Sequence, residues 1–410
     1  MNTRAGSPRA PETTRAVRST YLVFALLGLA GATWASRLPQ IRNRMGLDTA
    51  SVGLLLLAVG GLVALPLAGP FVARVGPRRG VAATAVLVGA GLGAVASGFV
   101  LWPPLLLAGL FVLGTATGFW DVAVTVHAAA LERRLDRALM PRFFAGFSFG
   151  TVAGACLGAL MTALHVPVSL HIGAVALLVA LLTPPAVRHF LPRPAPTARP
   201  SQRKAAASGT HAWGEPRTVA LGLVALAFAL AEGAGSNWIS LTVIDRHHAT
   251  AAVGTLAYAA FLAAVTLGRW LGPLIVSRLG RPGALRGAAC AACLGVALFA
   301  TGPSLCAGFA GALLWGAGAA LGFPLGLSAG ADDPTRAAAR VGVITSIGYC
   351  GFACGPPLIG ALADRTGLAP ALLAIAAVMG ASLTLAGAVR ATPQATREEA
   401  ADAAPAMSTP

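Results

Sequence analysis

The sequence predicts an all-α membrane protein of twelve transmembrane helices, arranged as two pseudo-symmetric six-helix bundles. Of its 410 residues, 56% are hydrophobic and only 11% are charged, and the mean hydropathy is +0.74. Soluble domains carry about 25% charged residues. The apolar residues form runs of about 20, the length that crosses a hydrocarbon core of about 30 Å. Because these runs do not alternate between polar and apolar residues, a closed β-barrel is disfavoured.

Six apolar runs precede a polar break and six follow it. The predicted spans are 20–37, 50–73, 81–101, 104–131, 143–164 and 168–187, then 217–242, 250–276, 283–301, 304–327, 339–362 and 369–389. The break is rich in Pro, Ser and Arg, a composition typical of a flexible linker. We therefore predict a cytoplasmic N-terminal tail (1–19), an N-terminal bundle (20–187), a cytoplasmic linker (188–216), a C-terminal bundle (217–389) and a disordered cytoplasmic tail (390–410).

The net charge of +16 is explained by its placement. With an even number of spans both termini lie on one side, and that side holds 24 Arg and Lys residues against 5 on the other. This bias is the one that the positive-inside rule describes for cytoplasmic loops. It predicts cytoplasmic termini and gives no support to nucleic-acid binding.

The two halves carry matching segments. Ala68 to Gly80 reads AGPFVARVGPRRG after span two, and Gly272 to Gly283 reads GPLIVSRLGRPG after span eight. Spans five and eleven each carry a glycine stripe, which would let a neighbouring helix approach closely: Gly150, Gly154 and Gly158 in one, and Gly351, Gly355 and Gly360 in the other. Such a parallel repeat of two six-helix halves is typical of a transporter that rocks about a substrate site near the midplane.

On these segments the chain resembles the major facilitator superfamily from Tyr21 to Val389. The family pattern G-x-L-a-D-R-x-G-R-K corresponds to the segment from Gly69 to Arg78, in which the glycines and Arg74 match. Its acidic position is Ala73, and Ser277 occupies that position in the second half, so the gate latch that the family builds on this carboxylate is in question. A further copy, GALADRTG, follows span eleven. WASRLPQIRNRMGL and AEGAGSNW also resemble poorly characterised bacterial inner-membrane permeases near the fucose permease.

Two acidic residues lie inside spans. Asp121 lies in span four and Glu232 near the midpoint of span seven. A charge at the centre of a spanning helix costs roughly 2.5–3.5 kcal/mol, so such residues face water or a partner. The resemblance implies that spans one, four, seven and ten surround the central cavity. We predict that both acids bind substrate or protons; the alternative for each is a neutral acid that bonds a neighbouring helix.

Further candidates accompany these acids. The predicted substrate- or proton-binding set also contains Thr125, Ser236, Asn237, Trp238, Trp34, Arg37 and Trp315. Arg37 either binds an anionic group or snorkels to the interface, Trp315 is a packed aromatic or a cavity residue, and Arg269 snorkels or pairs with another helix. The predicted gating set is Gly69, Arg74, Gly76, Arg78, Glu132 and Arg133. For Glu132 and Arg133 a solvated helix end is the favoured alternative.

No enzyme motif accompanies the spans. GAGLG at 89–93 and GAGAALG at 316–322 lie inside spanning helices, where helix packing explains them, and no phosphate-binding GxxxxGK[ST] loop occurs. We expect no catalytic residues, no metal and no cofactor. The prediction is a secondary active transporter of a small organic molecule, monomeric, in the bacterial cytoplasmic (inner) membrane, working by alternating access with the proton as coupling ion. Efflux is slightly favoured; the alternatives are a sugar or nutrient uptake permease and, in another class, a membrane-embedded enzyme or sensor.

Overall fold

The N-terminal half is helical throughout the part that the structure describes. A computed structural model describes residues 10–37, 40–41, 47–190, 212–249 and 251–390. Parts of the predicted tails and linker, residues 1–9, 191–211 and 391–410, lie outside the described residues. The N-terminal helices are α1 (Ala10–Ser36), α2 (Leu47–Val75), α3 (Pro77–Val100), α4 (Pro103–Leu135), α5 (Met140–Ala163) and α6 (Val168–Ala186), followed by a 3₁₀ turn at Val187–His189.

The C-terminal half contains the corresponding set of helices. They are α7 (Pro216–His247), α8 (Ala251–Thr301), α9 (Leu305–Ala319), α10 (Gly322–Gly330), α11 (Ala337–Thr366) and α12 (Leu368–Ser382), with a 3₁₀ segment at Leu383–Val389. By its internal contacts the chain divides into two units, Met1–Gly209 and Thr210–Pro410.

The described helices account for twelve membrane spans. Ten are long and apolar enough to cross a membrane, and α2 supplies an eleventh as a pair of segments, Leu56–Ala64 and Pro66–Val75, bent by 53°. Pro66 lacks the N–H that would continue the helical ladder, which explains the bend. The twelfth arises because α8 contains two predicted spans, eight and nine. They meet at Gly280, whose backbone is non-helical (φ 66°, ψ 167°). The all-α prediction is confirmed.

Some helix boundaries differ from those predicted. Helix α1 begins at Ala10, ten residues before the predicted span. The Ala, Glu and Arg residues between positions 10 and 19 favour a helix. Span ten was predicted as one helix but is broken between α9 and α10. Pro324 lies in the first turn of α10, where a residue without an N–H is tolerated, so it favours a new helix start.

The glycine stripes bring the same helices together in each unit. In the first unit a Cβ atom on Gly150 of α5 would lie only 2.0 Å from the carbonyl oxygen of Ala25 in α1. In the second unit a Cβ on Gly351 of α11 would lie 2.4 Å from the carbonyl oxygen of Leu226 in α7. Only glycine permits backbones this close. The α1–α5 and α7–α11 pairs therefore repeat one packing arrangement.

Candidate functional site

A buried ion pair joins two transmembrane helices of the second unit. The Arg269 Nη2 atom on α8 donates a hydrogen bond to the Glu232 Oε2 atom on α7 over 2.5 Å. The two side chains are 6% and 13% exposed. The expected pairing of Arg269 with another helix is confirmed. A guanidinium beside the carboxylate offsets the cost that an isolated charge would incur here.

Two hydroxyl groups adjoin this pair. Ser236 follows Glu232 by one helical turn and so lies on the same face of α7. Its side chain is hydrogen-bonded to the Tyr258 hydroxyl of α8, and Tyr258 is close enough to Glu232 to sense its charge. The cluster thus combines a carboxylate, a guanidinium and two hydroxyls, and we call Glu232, Arg269, Ser236 and Tyr258 the polar cluster. It can exchange a proton at one atom and bind an acceptor at another.

The other predicted residues of α7 make different contacts. The Asn237 side chain is exposed and its Nδ2 donates to the carbonyl of Gly233 on its own helix, 2.7 Å away. The Trp238 Nε1 atom donates to the carbonyl of Pro356 in α11 over 3.2 Å. Both side chains are therefore engaged with backbone groups outside the polar cluster.

Trp315 is enclosed by aromatic rings. It is fully buried in α9, and its ring centroid lies 5.6 Å from that of Phe261 and 5.8 Å from that of Phe299, both in edge-on geometry. Such edge-on pairs stabilise packing beyond simple burial. Its indole Nε1 has no hydrogen-bond partner among the described residues.

Asp121 and Thr125 lie one turn apart on α4 of the first unit. Asp121 is 5% exposed and Thr125 is fully buried. The Thr125 Oγ1 atom makes no hydrogen bond within the described part of the chain. Asp121 is thus a buried acid inside a spanning helix of the first unit, and the half-buried Glu232 lies inside a spanning helix of the second.

Arg37 holds the C-terminal end of α1. This residue is 2% exposed, and its Nε donates to His171 Nδ1 at 3.0 Å while its Nη2 donates to the carbonyl of Val166 at 3.2 Å. Trp34, one turn earlier, is 4% exposed. The arginine links α1 to the start of α6, an arrangement that neither sequence interpretation of Arg37 contained.

The motif loop after α2 is a glycine turn. Gly76 adopts φ 85° and ψ 154°, a conformation that L-residues with a side chain rarely adopt. Its counterpart Gly280 in the second unit has φ 66° and ψ 167°. Arg74 and Arg78 flank the first turn and are exposed, whereas Gly69 is buried inside α2. The repeat seen in the sequence is thus a repeat of backbone conformation as well.

Glu132 stabilises the turn between α4 and α5. It is 6% exposed, and its Oε2 accepts hydrogen bonds from the backbone N–H groups of Leu139 at 2.7 Å and Met140 at 2.6 Å. These are donors at the start of α5, which a helix leaves without intrahelical partners. The interpretation of Glu132 as a solvated helix end is therefore wrong. The neighbouring Arg133 is half-buried.

Sequence reasoning missed an ionic network at one end of the second unit. Asp332, with a side chain 4% exposed, accepts from Arg281 at 2.7 Å and from Arg217 at 3.1 Å. Arg217 also donates to the carbonyl groups of Ala388 and Arg390, at 3.1 and 2.7 Å. Asp332 and Arg217 together therefore link the first turn of α7, the α8 turn and the end of the described chain.

A second carboxylate extends this network. Glu215, at the start of α7, accepts from Arg340 at 2.6 Å, from Arg336 at 2.8 Å and from the Thr218 hydroxyl at 2.9 Å. Arg340 also lies 3.8 Å from Asp333. The only sequence signal was the density of charge around residues 332–340.

Comparison with known proteins identifies the family of this chain. The family model described as Major Facilitator Superfamily matches residues 20–348. The chain is 32% identical over 390 residues to an uncharacterised MFS-type transporter of Yersinia pestis, an alignment covering 91% of this chain and 94% of the relative. It is 29% identical over 350 residues to a 2-nitroimidazole transporter of Escherichia coli, covering 81% and 84%.

A solved structure agrees with the fold. The fucose:proton symporter of Escherichia coli superposes with a TM-score of 0.76 at 17% identity, covering 92% of this chain and 98% of that chain. At this level of identity the likeness concerns the fold alone. Together with the family match, it shows that this chain belongs to the Major Facilitator Superfamily and is a multi-pass membrane transporter, not an enzyme.

Proposed function

We propose that this protein couples the movement of a small organic molecule to that of a proton, through the ion pair of Glu232 and Arg269. The observation that carries the proposal is the 2.5 Å contact between these side chains inside two transmembrane helices. A buried ion pair is weak evidence for added stability, because desolvation of both charges offsets their attraction. Intramembrane ionisable residues are instead characteristic of substrate and proton pathways.

The two partners differ in what they can do. An arginine side chain keeps its charge under all physiological conditions, whereas a carboxylate can bind a proton. A proton on Glu232 removes the negative charge that Arg269 faces and weakens the contact between α7 and α8. Proton occupancy therefore changes both the charge of the polar cluster and the strength of one helix contact. Such a change is what alternating access requires of a coupling site.

The direction of transport depends on how proton and substrate share the site. Efflux by exchange, which the sequence slightly favours, requires substrate and proton to compete for Glu232. In this protein Glu232 already has a positive partner, so a cationic substrate would have to displace Arg269. Joint binding of proton and substrate needs no such displacement, and we therefore favour uptake by symport, as a nutrient permease performs it. The fucose:proton symporter, similar in fold, couples in this way by its description.

We place the protein in the bacterial cytoplasmic membrane as a monomer, with both termini in the cytoplasm. The excess of Arg and Lys on one side supports this orientation. The ionic network of Asp332 and Glu215 then lies at the cytoplasmic end of the second unit. Asp121 is the corresponding acid of the first unit, and we assign it to the substrate pathway.

Proton flux into proteoliposomes tests the proposal. Purified protein is reconstituted with the pH-sensitive dye pyranine inside, and compounds are added outside: 2-nitroimidazole, L-fucose, and small hydrophilic carboxylates with their primary amides. At least one compound should acidify the interior in wild-type vesicles and not in Glu232→Gln vesicles. Glu12→Gln, which alters an exposed glutamate of α1, is the matched control and should behave as wild type. Substrate flux without any proton movement would contradict the proposed coupling.

A further inference from the structure

We propose that the second unit binds a phospholipid, with an acyl chain in an apolar groove between α7, α11 and α12 and the lipid phosphate on Arg365. None of the residues that line this groove belongs to the polar cluster. The lipid site is therefore distinct from the proposed proton site, and it binds lipid whatever substrate the protein carries.

The groove has the size and lining of a site for an apolar ligand. Its volume is about 430 Å³, within the range of about 300–1,000 Å³ that is typical of small-molecule sites. Eight of its nine lining residues are apolar, and they come from Leu230 of α7, four residues of α11 and three of α12. Leu358 of α11 is 61% exposed. In a membrane protein such an open apolar surface is stabilised by hydrocarbon chains rather than by water.

Arg365 ends the apolar stripe that α11 contributes to the groove. Leu358, Leu362 and Arg365 are three or four residues apart, so they lie along one face of the helix. At 1.5 Å per residue, Arg365 lies about 10 Å from Leu358 along the helix axis, which is less than half of a hydrocarbon core of about 30 Å. Arg365 is exposed in the last turn of α11. An acyl chain in the groove therefore brings its headgroup to this guanidinium.

A phosphate is the lipid group that Arg365 can recognise. A guanidinium binds a phosphate through two parallel N–H bonds, which are stronger than hydrogen bonds between neutral groups. The aliphatic part of an arginine side chain packs on apolar surface while its charged end reaches the polar layer. Asp364, the preceding residue, does not line the groove. None of the ion pairs of the described second unit involves Arg365, so its guanidinium is available to a ligand.

Other occupants match only one part of the site. Free phosphate would contact Arg365 and leave the apolar lining uncovered. A second copy of the chain would need an interface of about 1,000 Å² or more, which is much larger than this groove. A phospholipid satisfies both parts, because it carries an apolar chain and an anionic phosphate in one molecule.

Native mass spectrometry of the full-length protein in detergent tests the site. Delipidated protein is incubated with dioleoyl phosphatidylglycerol or with dioleoylglycerol, which has the same acyl chains and no phosphate. We expect wild type to retain phosphatidylglycerol at concentrations at which dioleoylglycerol is lost. Arg365→Gln should bind phosphatidylglycerol about 10-fold more weakly, the loss expected for one charge-assisted bond. Arg286→Gln, which alters an exposed arginine outside the groove, is the matched control and should bind as wild type does.

A second pair of variants fills the groove and leaves its charge in place. Ala361 lines the groove and is exposed, so Ala361→Trp should fold normally and abolish the retention of phosphatidylglycerol. Ala353→Trp is the matched control, since Ala353 is an exposed residue of the same helix that does not line the groove. It should retain the lipid.

Three other outcomes would each overturn the proposal. Equal binding of phosphatidylglycerol by wild type and Arg365→Gln, or equal retention of the two lipids by wild type, would show that this arginine does not recognise the phosphate. Wild-type retention by Ala361→Trp would place the lipid outside the groove. A protein dimer in the same spectra that Ala361→Trp dissociates would make the groove an interface between copies of the chain.

Discussion

Arg269 and Glu232, separated by 37 residues in the chain, lie 2.5 Å apart between Nη2 and Oε2 inside the membrane-spanning part of the second unit. Removing one partner leaves a buried charge, whereas removing both leaves two neutral groups. Arg269→Gln should therefore lower the free energy of unfolding by about 3 kcal/mol. The double variant Glu232→Gln with Arg269→Gln should lose less than this single variant.

A thermodynamic cycle in detergent measures this coupling. Unfolding is followed by the fluorescence of the seven tryptophans for wild type, both single variants and the double variant. Strictly additive losses would show that the two side chains do not interact in the folded protein.

The stability that the ionic network gives to the second unit should depend on Asp332 and much less on Asp333. Asp332 is 4% exposed and has two arginine partners, so Asp332→Asn should cost about 2 kcal/mol. Asp333→Asn is the matched control, because Asp333 is 28% exposed and its Oδ1, which accepts from Thr335, persists in asparagine. Thermal unfolding compares the two variants, and equal losses would contradict the role assigned to Asp332.

The glycine stripe of α5 should not accept a methyl group. A Cβ at Gly150 would meet the carbonyl oxygen of Ala25 at 2.0 Å, so Gly150→Ala should separate α5 from α1 and cost about 1–3 kcal/mol. Gly93→Ala, on α3, meets no atom within 4 Å and should stabilise the helix by about 1 kcal/mol. An equal decrease in the unfolding midpoint of both variants would argue against the close approach of the two helices.

Glu215 gives the second unit a pH-dependent stability. Burial raises the pKa of this carboxyl, but hydrogen bonds from Arg340 and Thr218, the Arg340 charge and a bond from Arg336 together lower its pKa from the usual 4.5. In the unfolded chain the group binds its proton at higher pH, so its contribution is fully present above pH 4.5 and is lost as the pH falls through the lowered pKa.

The measurement compares wild type with Glu215→Gln between pH 3 and about 6, a range that brackets the usual pKa of glutamate. The stability difference between them should be constant above pH 4.5 and shrink below it. If the stability difference between wild type and Glu215→Gln instead grew on acidification, its pH dependence would have the opposite sign. These contacts could then not be its source.

Single-sequence patterns were sufficient for the architecture. Apolar runs of spanning length predict the helices because lipid leaves the backbone few alternatives. Glycine spacing likewise predicts which faces approach closely, as Gly150 and Gly351 show. The predicted break between spans eight and nine is confirmed by the non-helical conformation of Gly280. Breaks inside a run were harder to predict: span ten was predicted as one helix but is broken between α9 and α10.

The partners of charged residues could not be predicted in the same way. Glu232 stands out in the sequence because it interrupts an apolar run, yet nothing in the sequence identifies Arg269, 37 residues later, as its partner. Asp332 pairs with Arg217 and Arg281, which precede it in the chain by 115 and 51 residues. Glu132 looked solvated because the sequence does not show that the α4–α5 turn folds back onto it.

The central claim is that Glu232, the ion-pair partner of Arg269, accepts and releases the coupling proton. The most direct measurement uses a compound that acidifies wild-type vesicles and compares two modes of its transport in Glu232→Gln proteoliposomes. These are exchange of labelled for unlabelled substrate at equal pH, and accumulation driven by a pH gradient. Glutamine resembles the protonated acid, so exchange should persist. Accumulation should vanish, because glutamine cannot bind and release the coupling proton. Accumulation equal to that of wild type would contradict the account.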